Sequence, residues 1–100
     1  MNNIGEIIRN LRTGKQLPLR TVAAYLDIDQ AILSRIERGE RKATREHIVK
    51  LAKYFNADEN ELLIMWLSDK IVYEIADESV AFEVLRVAEE KVKYEKLKGE

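Results

Sequence analysis

Apolar residues recur along this chain at spacings of three and four, in short runs cut by polar turn residues, a pattern that predicts a chain built mostly of helices. Ile4, Ile8 and Leu11 form the inward face of a first helix over residues 2–14, with Arg9 and Arg12 outward and Gly14 as its end. Pro18, suited to a first helical turn, opens a second helix that carries Val22, Ala23 and Leu26 inward. After the tight turn Asp27-Ile28-Asp29, a third helix runs from Gln30 to Arg38, with Ile32 or Leu33 pairing with Ile36. Asp29 is its expected N-cap, and Gly39 is expected to close it in a left-handed conformation. A fourth helix begins after Thr44, turns Ile48, Leu51, Ala52 and Phe55 inward, and stops at Asn56. Asp58 and Glu61, three apart like a capping box, then open a fifth. These five segments predict a compact helical domain over residues 1–63.

The pattern does not stop there. Ile64, Trp66, Leu67, Ile71, Val72 and Ile75 carry it on towards Ala76, where Asp77-Glu78-Ser79 offers a break and a fresh N-cap. A last helix, about 80–97, sets Val80, Val84, Val87, Ala88 and Val92 near one side with Glu and Lys on the other. Residues 64–100 therefore form a C-terminal helical extension with more apolar surface than the first domain needs. No Ser/Gly-rich linker and no internal repeat separates the two parts.

The second and third helices with their short turn carry the chemistry. Ala23 stands where a crossing helix must approach closely, and a larger side chain there would push the pair apart. The outer face of the third helix is left with Gln30, Ala31, Ser34 and Arg35, residue types that can read base edges. That is the layout of a helix-turn-helix, whose second helix enters the major groove.

Charge sharpens the picture. The chain of 100 residues has a formal net charge of −1, unpromising for a polyanion binder. Residues 1–58, however, hold 11 Lys and Arg against 7 Asp and Glu, and residues 59–100 hold 6 against 11. The basic charge concentrates in Arg35, Arg38, Arg41, Lys42 and Arg45, and phosphate binding follows local charge rather than the total. With no cysteine, disulfides and thiolate metal sites are excluded. No signal peptide is visible at the N-terminus, and the run Leu62 to Leu67 is far too short to span a bilayer, so a cytoplasmic protein without membrane partner is expected.

These residues resemble the Xre/lambda-repressor-like family of bacterial and phage helix-turn-helix regulators over about residues 4–64. The markers are Ile8-Arg9-x-Leu11-Arg12, Val22-Ala23-x-x-Leu26, Leu33-Ser34-x-Ile36-Glu37-x-Gly39 and Leu51-Ala52-x-x-Phe55. The resemblance implies an all-α chain: a five-helix lambda-repressor-like helix-turn-helix domain with a C-terminal helical extension. It implies double-stranded DNA as partner, with base contacts from the third helix. Gln30 suits adenine N6 and N7, Arg35 suits guanine O6 and N7, Ala31 suits a thymine methyl, and Ser34 can donate or accept. Arg38, Arg41 and Lys42 are placed for phosphates, and Glu37 for a buried or half-buried salt bridge with Arg12.

Departures from the family pattern matter as well. Pro18 and Leu19 stand where members often carry a capping hydroxyl and a phosphate-holding glutamine, so Arg20 is expected to take over that phosphate. Asp27 replaces a frequent glycine and tolerates positive φ better than most residues. Asp29 is read as a cap rather than as a cytosine reader.

Other features fit plainer readings. His47 is the only histidine and lacks partners for a metal site, so it is structural or on the surface. Trp66, Tyr73 and Tyr94 lie among aliphatics and suit core packing or a dimer seam. Glu89 and Glu90 are adjacent on an exposed helix, which does not make an acid–base pair. No phosphate loop or catalytic triad is present; no enzyme, cofactor or small-molecule ligand is implied. One helix-turn-helix module contacts few base pairs, so a homodimer on a pseudo-palindrome is expected, with Trp66, Leu67, Ile71, Val84 and Val87 at its interface. The competing reading folds the tail back over the first and fifth helices as a lid. Chain length and the lack of an effector domain resemble the small controller proteins of restriction–modification operons. Two alternatives are an antitoxin whose C-terminal helices bind a toxin and an interaction module that has lost DNA binding.

Overall fold

Six helices follow one another in the computed structural model, which describes residues 2–99: α1 Ile4–Gly14, α2 Leu19–Leu26, α3 Gln30–Glu37, α4 Arg45–Tyr54, α5 Glu59–Ile75 and α6 Ala81–Lys98. Among the described residues there is no strand, and the fold is all-α. The chain divides into two compact units, Met1–Asp69 and Lys70–Glu100, with the division inside α5.

In the first unit every helix from α1 to α4 gives a side chain to one core, in which Ile8, Val22, Leu33, Ile48 and Leu51 are the largest fully buried residues. Leu62 and Trp66 extend that core along α5. The unit reaches beyond the expected boundary at residue 63, because Trp66 is buried and the Asp69 carboxylate accepts the Ile4 N–H at 2.7 Å. The position of Trp66 corrects its expected place on a dimer interface. The continuous apolar pattern of α5 marked a buried face without naming the neighbour.

Helices α1 to α4 end in the same way. A residue of positive φ follows each: Gln16, Asp27, Gly39 and Asn56. The next N–H then turns back to a carbonyl five residues earlier: Leu17 to Arg12 (3.1 Å), Ile28 to Ala23 (3.0 Å), Glu40 to Arg35 (2.8 Å) and Ala57 to Ala52 (2.8 Å). This closure satisfies carbonyls that a helix end leaves open, and it aims Leu17, Ile28 and Ala57 back at the core.

The helix starts are less uniform. Asn3, Thr44 and Asp58 accept N–H bonds from Glu6, His47 and Glu61. Asp29 occupies the N-cap of α3, but its carboxylate makes no cap bond. Pro18 is the N-cap of α2 rather than its first helical residue. Ser79 does not cap the last helix, where Val80 precedes Ala81 with no side-chain bond.

The second unit holds the end of α5 and all of α6. No residue of α6 is buried, and Phe82 and Leu97 are 85% and 72% exposed.

Candidate nucleic-acid interface

Two helices fix α3, so that only one of its faces is free. Leu33, Ile36 and Glu37 are its buried residues, and α1 and α2 pack against it. Gly5 of α1 lies so close to the end of α3 that a Cβ there would stand 2.5 Å from the Ile36 carbonyl oxygen and 2.7 Å from that of Glu37. Any side chain at this position would force the two helices apart. The glycine carried no signal in the sequence beyond its being a glycine.

An ion pair completes the clamp, as the motif predicted. Arg12 donates from Nε and a terminal guanidinium nitrogen to the two Glu37 carboxylate oxygens, at 2.7 and 2.9 Å. Its other terminal nitrogen donates to the Leu17 carbonyl at 2.8 Å, so one guanidinium ties α1 to α3 and to the loop before α2. The Glu37 side chain is only 4% exposed. The bond to Glu37 and its charge raise the Arg12 pKa above its ordinary value, against the opposing effect of burial. Among the described residues no buried side-chain nitrogen or oxygen lacks a partner.

The free face of α3 carries the expected set. Gln30, Ala31 and Arg35 are exposed and Ser34 is half-buried. Gln30 and Ser34, like Ala31 and Arg35, are four apart and lie one turn above each other on the same face. Arg20 on α2 is exposed, as are Arg38, Arg41 and Lys42 in the segment after α3. Arg38 is also held from its own side, with Nε 3.4 Å from a Glu40 carboxylate oxygen and 3.4 Å from the Ser34 carbonyl oxygen.

Sequence reasoning missed what holds that segment. The Trp66 indole N–H donates to the Ala43 carbonyl at 2.9 Å, and the Arg45 guanidinium lies 5.5 Å from the Trp66 ring centroid. One residue on, Thr44 and His47 form a capping box: the Thr44 N–H donates to His47 Nδ1 at 3.1 Å, and the His47 N–H to the Thr44 hydroxyl at 3.2 Å. Burial is the main cause holding the His47 imidazole below its ordinary pKa, with Lys50 and Arg41 adding to it and Glu46 opposing. The loop bearing Arg41 and Lys42 is thus fixed at its far end by a tryptophan and a histidine. A capping box usually closes with glutamate or glutamine, which is why His47 read as a bystander.

Among the described residues no helix is long and apolar enough to cross a membrane, and no cluster of three or more metal-binding side chains occurs.

A clamped helix with a polar free face, preceded by a tight turn and followed by cations, defines a DNA-binding helix-turn-helix. Residues 8–62 match the helix-turn-helix family model, and the chain belongs to that family, as a DNA-binding transcription regulator of the Xre/lambda-repressor-like type. Among solved structures it is similar to the restriction-modification controller protein C.AhdI from Aeromonas hydrophila, with 34% identity and a TM-score of 0.54, over 59% of this chain and 89% of that one. No curated protein sequence matches the chain.

Proposed function

We propose that the chain is a sequence-specific regulator of transcription that binds double-stranded DNA as a homodimer, on a pseudo-palindromic operator that includes its own promoter. The observation that carries this is the free face of α3, where Gln30, Ala31, Ser34 and Arg35 stand together on a helix held rigidly by Gly5 and the Arg12–Glu37 pair. A helix so fixed can hold bidentate contacts to base edges, each discriminating by about 1–3 kcal/mol. Arg20, Arg38, Arg41 and Lys42 then serve the phosphates, which position the domain without reading sequence. Leu67, Ile71, Val84 and Val87, all exposed, are the proposed dimer contacts. The similarity to a restriction-modification controller favours this reading over an antitoxin, which would share the DNA-binding face and differ in what covers the C-terminal helix.

Two substitutions test the assignment. Arg35→Ala should weaken the preferred site by about 1–3 kcal/mol and random DNA much less, relaxing preference at one base pair. Arg41→Ala should weaken both alike and lower the log–log salt slope by about one. If Arg35→Ala leaves discrimination intact, α3 does not sit in the groove as proposed.

A further inference from the structure

We propose that Asp69 of α5 is a positioning residue for sequence reading by α3, acting through the start of α1. The proposal rests on the reading of α3 above and adds to it a residue from outside the motif. Helix α1 holds α3 at two places: Gly5, closed against the Ile36 and Glu37 carbonyls, and Arg12, paired with the Glu37 carboxylate. Residues seven apart on a helix are separated by about 10 Å, so α1 keeps both contacts only while each of its ends is fixed. The Arg12 end is tied by its guanidinium to Glu37 and to the Leu17 carbonyl. The other end has a local cap, Asn3, whose side chain accepts the Glu6 N–H at 2.9 Å. A local cap shapes the first turn but does not set where that turn sits in the molecule.

Asp69 sets it. Its half-buried carboxylate accepts the Ile4 N–H at 2.7 Å from 65 residues further along the chain. A carboxylate at the first N–H of a helix is favoured by the helix dipole, and a charge-assisted bond of this length is strong and directional. Ile4 is also buried in the core, yet apolar burial has no direction and tolerates a small slide that the bond does not. Gly5 is the next residue, so a slide of the first turn reaches the α3 carbonyls at once. Trp66, which braces Ala43, lies three residues before Asp69 and on the same side of α5. That side of α5 therefore holds both parts of the proposed DNA surface: Trp66 the segment with Arg41 and Lys42, Asp69 the helix with Gln30 and Arg35. The two holds differ in consequence. Bidentate base contacts need placement within about 0.5 Å. Phosphates are met by the long, rotamer-rich side chains of Arg20, Arg41 and Lys42, which follow a small shift. Loosening at Asp69 thus removes discrimination and leaves sequence-independent binding in place.

The test uses full-length protein and two duplexes, one enriched from a random library by the unsubstituted protein and one of the same composition in scrambled order. Asp69→Ala deletes the acceptor. Ile4→Pro deletes the donor, at the first position of α1, where a helix accommodates proline. Asp69→Asn keeps an acceptor without the charge. Far-UV circular dichroism confirms that each variant is folded at the assay temperature. Asp69→Ala and Ile4→Pro should bind the enriched duplex about tenfold more weakly and the scrambled one within about twofold of the unsubstituted protein, while Asp69→Asn keeps most of the preference. An Asp69→Ala protein that melts earlier yet keeps the full preference makes Asp69 a stabilising residue only and overturns the proposal. Equal weakening on both duplexes, or an asparagine variant no better than the alanine one, overturns it as well. If Asp69→Ala does not fold, Ile4→Pro decides by the same criteria. An unsubstituted protein that enriches no duplex overturns the reading of α3 and this proposal together, whereas an enriched duplex still fully preferred by Asp69→Ala overturns the proposal and spares that reading.

Discussion

Replacing Arg12 with methionine removes both guanidinium donors from a carboxylate that is 4% exposed. Glu37 is then a buried charge without a partner, a situation that costs about 3–5 kcal/mol. A domain of this size has about 5–15 kcal/mol of stability in total, and each kcal/mol moves its midpoint by about 4–8 °C. Arg12→Met should therefore lower the melting temperature by about 12–40 °C. The reverse change, Glu37→Met, should cost less, because Arg12 keeps the Leu17 carbonyl and a path to water. The double variant places two apolar side chains in the same space and should recover most of the loss, since replacing a buried pair by packed apolar residues is often neutral. Urea unfolding followed by far-UV circular dichroism on the four proteins gives the coupling energy directly. A loss below about 1 kcal/mol for Arg12→Met, or a double variant no better than its worse parent, would refute the view that this pair clamps α3.

Two further outcomes follow from the segment after α3. Trp66→Phe keeps the ring but leaves the buried Ala43 carbonyl without its donor. It should cost about 1–3 kcal/mol of stability and weaken specific and random DNA alike with base preference unchanged; unaltered stability and affinity would show that the brace is idle. His47 has a folded-state pKa below its unfolded value, so the unfolded chain takes up the proton more readily. Its contribution to stability is present above about pH 6.5 and is lost as pH falls through the lower folded value. His47→Gln keeps an acceptor for the Thr44 N–H without titrating, and should flatten the fall of the stability profile below about pH 6.5. Equal slopes for the two proteins would remove His47 from the account.

The sequence showed most clearly what the backbone period and the motif spacing control. Ala23, Asp27, Gly39 and the Arg12–Glu37 pair were readable because a helix-turn-helix leaves few choices at those positions. The free face of α3 could be listed for the same reason. Trp66 was not placed correctly, because an apolar stripe on α5 looks the same whether it covers its own domain or another chain. Gln16 gave no hint of its left-handed conformation, which is set by the closure of α1 onto Leu17 rather than by its residue type. Ser79 has the right chemistry for a cap, yet α6 begins after Val80 with no cap at all. Local propensity proposes such ends, and the path of the neighbouring backbone decides among them.

The central claim is that the free face of α3 reads a particular duplex sequence. Its most direct test is selection from a random duplex library with the purified full-length protein at near-physiological salt. The account predicts an enriched inverted repeat with half-sites about one helical turn apart, and loss or broadening of one base preference when the selection is repeated with Arg35→Ala. A folded protein that enriches nothing, or whose enriched sequence is indifferent to Arg35 and Gln30, would contradict it.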